Sequence, residues 1–545
     1  MTATPATAQR LGGHTVIETL AALGARVAFG VPGVHALAMW EALRTSELRA
    51  FGTRTELCAA FAADGYARSS GRPAPLLLST GPGALNSLTG LMEAARAHVP
   101  VVAISSQIPR ELLGTHRGYL HKLDGQLASF APIVKHTARA ESVEAIPELV
   151  AEAWLAAQTP PSGPVYLEIP VDVLRAGAGS TPIGPLEPQP PERRPVSAAA
   201  LTEATTLLAG AQSPVVWAGG GVLRSGAQAQ LRALAERLDA PVVTTFMGKG
   251  AIDETHPLAV GSGCDEAAVL ELLSEADVVL AVGTELGADT TNQYGLRLEG
   301  SLIHLDAAPE RIGVSYPALP LVGDARATLA ALLPALPQAS GAGAERTAKA
   351  RERIAAGLTA QSLESEREFL AAVERALPPD AVTTWDMTIL AYWAAAHLRL
   401  RAGQQFHYPL GSGTLGYAWP AALGAAAAES AGSRRKVLAV SGDGGLAYGL
   451  AEMATARQQS VDATLLVVDD GGYGILREYQ RADYDETMAV DLVGPDLVRT
   501  AEAFGLPVRG GGIDAAEENL RWALGLDGPA VVVVQARLAS ALPTP

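Results

Sequence analysis

Short β-branched runs alternate with Ala- and Leu-rich stretches along most of the chain. Val27–Phe29, Leu76–Ser79 and Val99–Ile104 are apolar runs of strand length, and His14–Leu23, Glu56–Ser69 and Ala84–Ala97 between them have helical composition and length. Strands that are apolar throughout belong to sheets covered on both faces, and regular strand–helix alternation predicts βαβ units with parallel strands. The pattern resumes at Val215–Trp217, Val242–Thr245, Val278–Val282 and Leu302–Leu305, and again at Lys436–Val440, Thr464–Val468 and Ala530–Val534. Two breaks divide it. Thr181–Pro195 holds six prolines and reads as an extended linker. Ala335–Lys349 is rich in Ala and Gly and precedes a charged helix around Arg351–Glu374. The expected fold is α/β, with three doubly wound domains and mostly parallel sheets over 1–178, 196–335 and 360–545. No short repeat period is visible, although three units of similar size are compatible with an old duplication.

Charge and cysteine usage narrow the function. Lys+Arg number 41 and Asp+Glu 57, so 41 − 57 = −16. That balance argues against nucleic acid or an anionic membrane as the main partner, but not against a phosphate in a dedicated pocket. The two cysteines, Cys58 and Cys264, form no CxxC pair, which speaks against a disulfide framework or a zinc site and for a reducing compartment. The first ten residues, MTATPATAQR, carry no apolar leader, and no apolar stretch reaches the ~18 residues of a membrane span. The expected location is the cytoplasm.

The strongest chemical signal is Ser441-Gly442-Asp443-Gly444-Gly445, after the strand Lys436–Val440 and before a helical run, Leu446–Arg457. Twenty-seven residues after Asp443 comes Asp470, in Val468-Asp469-Asp470-Gly471-Gly472-Tyr473-Gly474, directly after the next strand. Both segments therefore fall at the carboxyl ends of strands, where open α/β sheets bind ligands. Glycines let the backbone approach a phosphate, a following helix N-terminus offers it N–H groups, and paired carboxylates suit a Mg²⁺ that bridges to phosphate oxygens. Either segment alone is also an ordinary strand-end turn; the spacing and context of the two together favour a phosphate and metal site.

The two segments resemble the diphosphate-binding motif of thiamine-diphosphate enzymes. More narrowly, the chain resembles the branch holding acetohydroxyacid synthase, pyruvate oxidase and benzoylformate decarboxylase. Gly30-Val31-Pro32-Gly33, Thr80-Gly81-Pro82-Gly83-Ala84-Leu85-Asn86, Ser162-Gly163-Pro164-Val165 and Gly248-Lys249-Gly250 fall where that branch has similar segments. The resemblance implies a pyrimidine-binding N-terminal domain, a central domain and a diphosphate-binding C-terminal domain, with thiamine diphosphate and Mg²⁺ as cofactors. Arg54-Thr55-Glu56-Leu57-Cys58-Ala59-Ala60-Phe61 matches the segment with the family's catalytic glutamate, so the implied catalytic residue is Glu56. Taken alone, Glu56 reads first as an exposed first-turn glutamate favoured by the helix dipole, and only the rest of the resemblance gives it the catalytic role. Gly411-Ser412-Gly413-Thr414-Leu415-Gly416 resembles the loop that holds the aminopyrimidine, with the Gly413 carbonyl as acceptor and Leu415 as the bulky residue beneath the cofactor; it also reads as a Gly-rich turn with Leu415 in the core. The implied diphosphate and metal set is Gly442, Asp443, Gly444, Gly445, Asp470, Gly472, Tyr473 and Thr388, with Asp443, Asp470 and the Gly472 carbonyl on the metal. The implied substrate is a 2-oxo acid, its pocket drawing on Val34, His35, His116, His121 and Leu476, and the implied assembly is a homodimer or homotetramer with active sites between subunits.

Four departures qualify that picture. The family usually has Asn where Asp470 stands. The adjacent His-His pair of pyruvate decarboxylases is missing, and only His116 and His121 occur singly in that stretch. Leu476 stands where those enzymes carry a glutamate. The Arg-Phe-Asp-Asp run of flavin-contacting synthases is replaced by Gly283-Thr284-Glu285-Leu286-Gly287-Ala288-Asp289, so flavin is not expected. The preferred function is a 2-oxo acid decarboxylase or carboligase. Its rivals are an acetolactate-synthase-like transferase, a dehydrogenase using the turn Ala218-Gly219-Gly220-Gly221-Val222 (which is not GxGxxG), and a non-catalytic cofactor-binding homologue, against which Glu56 speaks.

Overall fold

The computed structural model describes residues 9–184, 186, 196–338, 341–430 and 432–544. It contains three six-stranded sheets. The first joins β1 (Val27–Gly30), β2 (Arg49–Gly52), β3 (Ala74–Leu78), β4 (Val101–Gln107), β5 (Thr137–Arg139) and β6 (Val165–Pro170) in the order β2-β1-β3-β4-β6-β5. The second holds β7 (Val215–Ala218), β8 (Val242–Thr244), β9 (Ala259–Gly261), β10 (Val278–Val282), β11 (Ser301–Asp306) and β12 (Leu319–Val322), ordered β12-β11-β10-β7-β8-β9. The third holds β13 (Val382–Trp385), β14 (Gln405–His407), β15 (Val437–Gly442), β16 (Ala463–Asp469), β17 (Val508–Gly511) and β18 (Ala530–Gln535), ordered β14-β13-β15-β16-β18-β17. The pairings run parallel, for example Ile104 beside Leu167, Leu280 beside Val216 and Val467 beside Val533. Counted from its own first strand, the third sheet repeats the order of the first, while the second has the order 3-2-1-4-5-6 of dinucleotide-binding sheets.

Continuous apolar strands are explained by two-sided burial. In the second sheet Val216, Ala218, Leu280 and Val282 enter one core cluster, and Val215, Trp217, Val279 and Ala281, their chain neighbours, enter another. Side chains alternate across a strand, so both faces must be apolar. Ten strand runs expected from sequence are present, with ends moved by a few residues. The other eight are short or carry polar residues, as in Arg49–Gly52 and Thr137–Arg139.

Three helical expectations need correction. Ala84–Ala97 is two pieces, Pro82–Leu85 and Leu88–Arg96. The charged helix begins earlier, at Gly343, and breaks after Ala360, where Ser362 takes φ 54°, before resuming at Glu364–Ala376. The run expected at Leu446–Arg457 is a single helical turn, Asp443–Leu446, followed by turns and a separate helix, Glu452–Gln459. The proline-rich linker Thr181–Pro195 lies for the most part outside the described residues. Cys58 and Cys264 are buried free thiols. Among the described residues no helix is long and apolar enough to cross a membrane.

The chain forms two compact units. One contains the first sheet with Pro409–Arg434 and Gly449–Ala463; the other contains the second sheet and nearly all of the third. The first unit is organised by the helices Glu56–Ser70 and Ala418–Ser430, both buried along most of their length. Thr55 caps the first, its hydroxyl accepting from the Cys58 N–H, and Gly71 ends it in the left-handed region at φ 67°. The two helices touch backbone to backbone. A Cβ on Gly65 would lie 2.0 Å from the Ala421 carbonyl oxygen, and one on Gly424 1.8 Å from that of Ala62. Gly65→Ala or Gly424→Ala is therefore expected to destabilise the protein by about 1–3 kcal/mol, as overpacking does. Gly210→Ala, in a helix with nothing within 4 Å of the added methyl, should leave the thermal midpoint unchanged or slightly raised. Thermal unfolding of the three variants checks this.

Candidate active site

In the second unit, two strand-end loops converge at the carboxyl edge of the third sheet. The chain leaves β13 to one side for β14 and returns to the other for β15, so this edge is a topological switch point. Asp386 follows β13 and is buried. Its carboxylate accepts from the Ser441 hydroxyl at 3.0 Å and from the Met387 N–H at 2.9 Å, tying the end of β13 to that of β15. Two of the glycines in these loops, Gly444 and Gly445, leave no room for a side chain, and Gly442 fits closely. A Cβ on Gly445 would sit 2.8 Å from the Asp386 carboxylate, one on Gly444 2.7 Å from the Tyr473 ring, and one on Gly442 3.2 Å from the Thr388 hydroxyl. Gly471 is left-handed at φ 73° and turns the chain after Asp470.

This arrangement brings Asp443, Asp470, Gly442, Gly444, Gly445, Gly472, Tyr473 and Thr388 into one cluster. Asp443 Oδ1 and Asp470 Oδ1 are buried without a hydrogen-bond partner among the described residues. Burial, then the nearby charge of Asp469, raises the Asp443 carboxyl above its usual range. Burial and then Asp443 itself push Asp470 up to about 6, against the opposing pull of Arg477. Two half-buried carboxylates with orphaned oxygens are what a divalent cation would satisfy. Among the described residues no three His, Cys, Asp or Glu side chains cluster to hold a metal, so a cation here would need oxygens from a bound diphosphate to complete its shell. The site thus fits Mg²⁺ together with a diphosphate.

In the first unit, β2 delivers Glu56 to the first position of its helix. Asn86 donates from Nδ2 to Glu56 Oε2 at 3.2 Å, and Glu452 accepts from the Arg54 N–H at 2.9 Å, anchoring the turn before it. The loop after β3 passes between two groups. A Cβ on Gly83 would be 3.3 Å from Glu56 Oε1, while one on Gly81 would strike the His121 carbonyl at 2.4 Å. Gln126 fixes that loop, accepting from the Gly81 N–H at 2.7 Å. Beside it, His35 is buried, with its ring centroid 5.4 Å from that of His121 and 5.6 Å from that of Tyr119; Nδ1 of each histidine is unpartnered. Burial, then His121 and Arg175, lowers the His35 pKa, keeping it neutral at pH 7. Val34 and Leu476 are exposed apolar side chains, and His116 is exposed.

The Gly413 and Leu415 loop is fixed by a buried charge cluster that sequence reading missed. Glu93 accepts from the N–H groups of Gly411 (3.1 Å) and Ser412 (2.7 Å), from the Ser412 hydroxyl (3.0 Å) and from Arg68 (3.3 Å). Arg68 also pairs with Asp64 at 2.6 Å, and Asp64 accepts from the Tyr417 hydroxyl at 2.6 Å. Glu93 lies over 300 residues from its loop partners, and no local motif marks it. In the central sheet, the Gly-rich turn after β7 is tied to the end of β10: the Gly219 and Gly221 N–H groups donate to the carbonyls of Val282 and Gly283.

Comparison with known proteins agrees with this geometry. Residues 10–128 match the family described as thiamine pyrophosphate enzyme, N-terminal TPP binding domain; 201–332 match its central domain, and 386–534 its C-terminal TPP binding domain. The probable 2-ketoarginine decarboxylase AruI of Pseudomonas aeruginosa is 38% identical, over 97% of this chain and 94% of its own length. A probable acetolactate synthase large subunit of Methanocaldococcus jannaschii is 32% identical, over 98% and 93%. An acetolactate synthase of Mycobacterium bovis is 32% identical, over 91% and 83%. The chain belongs to the thiamine pyrophosphate enzyme family, in its acetohydroxyacid synthase, pyruvate oxidase and benzoylformate decarboxylase branch. It is a thiamine-diphosphate-dependent enzyme of the 2-oxo acid lyase and carboligase class.

The Glu93 cluster predicts a graded effect. Glu93→Ala leaves buried N–H groups and Arg68 short of a partner, and breaking such a buried pair costs about 3–5 kcal/mol. Glu93→Gln keeps an acceptor oxygen and should cost less. Denaturant unfolding of both variants measures the difference.

Proposed function

We propose that this enzyme binds thiamine diphosphate with Mg²⁺ and cleaves the bond between the keto carbon and the carboxylate of a 2-oxo acid. The observation that carries the cofactor site is the pair of orphaned carboxylate oxygens on Asp443 and Asp470 at the switch point of the third sheet. Asp443, Asp470 and the Gly472 carbonyl would hold Mg²⁺, and Gly442, Gly444, Gly445, Tyr473 and Thr388 would line the diphosphate. Gly413 and Leu415 would hold the aminopyrimidine. In domain terms we assign the pyrimidine to 1–178, a central domain to 196–335 and the diphosphate to 360–545. When bound, thiamine diphosphate supplies the electron sink that accepts the pair left as CO₂ departs.

Glu56 is the proposed catalytic residue. Its carboxyl group would hydrogen-bond the pyrimidine ring nitrogen, and Asn86, bonded to Oε2, orients it. His35, His121, Val34, His116 and Leu476 are proposed to face the substrate. His35 is neutral at pH 7 and unpartnered at Nδ1, so it can pass a proton with His121 beside it. That pair favours protonation and release of an aldehyde over transfer to a second carbonyl compound, which stays as the alternative outcome. None of these five side chains is acidic, so the guanidino substrate in the name of one relative is not carried over. We assign no functional flavin, a homodimer or homotetramer with active sites between subunits, and a cytoplasmic location.

A panel of apolar, polar and guanidino 2-oxo acids, assayed with Mg²⁺ and thiamine diphosphate for CO₂ and for aldehyde against acyloin or acetolactate products, tests the reading. Release of CO₂ from none of them overturns it. Glu56→Gln should lose about 10²–10⁴-fold in kcat, the usual scale of a proton-transfer contribution, while still binding the cofactor in calorimetry; a near wild-type rate refutes the assignment. Asp443→Ala should abolish cofactor binding at any attainable Mg²⁺ concentration.

A further inference from the structure

Position 470 carries a carboxylate where the family usually has an amide, and that substitution has a charge problem. Asp443 and Asp470 together present two negative charges to a ligand that is itself an anion. The structure contains a neighbouring positive charge. Arg477, three residues into the helix Gly474–Tyr484, is buried, and its Nη1 lies 3.7 Å from Asp470 Oδ2. Its Nε donates to Asp491 Oδ1 at 2.9 Å. Asp491 is solvent-exposed, with 64% of its side chain accessible against 14% for Asp470, so water solvates its charge where Asp470 depends on Arg477. The backbone fixes the arrangement. Tyr473 N–H donates to the Val490 carbonyl at 2.8 Å and Leu492 N–H to the Gly471 carbonyl at 2.9 Å, closing an antiparallel bridge between Gly472 and Asp491. The two oxygens of Asp470 are thereby divided: Oδ2 faces Arg477, and Oδ1 is left unpartnered.

We propose that Arg477 is the counter-ion that allows a carboxylate to serve at position 470, cancelling its charge toward the diphosphate while leaving Oδ1 for the cation. Among these three groups, −1 from Asp443, −1 from Asp470 and +1 from Arg477 sum to −1, the same as an Asp–amide pair without the arginine. Arg477 is thus a positioning residue that acts through Asp470. The inference rests on the proposed reading that this loop pair holds Mg²⁺ and diphosphate.

The test is calorimetric titration of thiamine diphosphate into the cofactor-free full-length protein at saturating Mg²⁺, with Mn²⁺ binding followed separately by electron paramagnetic resonance. Arg477→Met removes the charge and keeps the bulk; it should weaken thiamine diphosphate binding about 10-fold, the scale on which neighbouring charges couple. Arg477→Lys should bind nearly as the unmodified protein does. The diagnostic variant is Arg477→Met combined with Asp470→Asn, which should regain most of the lost cofactor affinity. Asp470→Asn alone, with Arg477 left in place, should bind Mn²⁺ more weakly. If the double variant binds the cofactor no better than Arg477→Met, or if neither folds, Arg477 is structural and the proposal falls. Asp443→Ala separates the two levels: if that variant still binds cofactor normally, the underlying site assignment has failed, whereas its loss of binding without rescue in the double variant sinks the counter-ion role alone.

Discussion

Asp443 and Asp470 are carboxylates taken partly out of water and set facing the same small space, and burial and repulsion lift both above their ordinary range, Asp470 to about 6. Such an arrangement costs free energy in the empty protein. The surrounding chain is arranged to hold it. Asp386 fastens the end of β13 to Ser441, glycines at 444 and 445 let two loops approach where a methyl group would collide, and Arg477 stands behind Asp470. A folded chain keeps groups in this state when a ligand repays the cost, so the strain points to a cation and phosphate as directly as any motif does.

The sequence made the long apolar strands and both strand-end loops legible because their signals are local. A short β-branched run such as Val278–Val282 has the length and composition of a strand buried on both faces, and Asp443 and Asp470 each follow such a run closely. The eight strands that escaped were short or carry polar residues, like Arg49–Gly52, and gain their hydrogen bonds from strands outside their own segment. The same reason hid Glu93, Gln126 and Arg477. A buried glutamate hydrogen-bonded to a loop over 300 residues away leaves no periodic trace, and Arg477 looks like any helix surface residue until the fold buries it. Helix breaks at Asn86 and Ser362 were missed because neither glycine nor proline stands in them; the break after Leu446 contains Gly449, a signal the reading passed over.

The three sheets differ in what their turns do. The first and third have the same strand order and place their candidate residues at strand carboxyl ends. The second has the order associated with dinucleotides, yet its Gly219 and Gly221 N–H groups are consumed by Val282 and Gly283. Strand order sets where a site can form, and the hydrogen bonds at the turn decide whether one is offered. The shared order of the outer two sheets accords with an ancestral duplication, a trace that residue composition alone did not resolve.

The close helix pair of the first unit has a consequence for how the chain is made. Gly65 meets Ala421, 421 − 65 = 356 positions later. A ribosome adding about 5–20 residues per second takes about 20–70 s to cover that distance. Throughout that interval the alanine face of Glu56–Ser70 emerges without its partner, while the whole second sheet is being synthesised in between. Nascent chains of this protein therefore pass through a long stage in which an early helix waits exposed for a late one, which makes them natural clients of chaperones that shield apolar surface during translation.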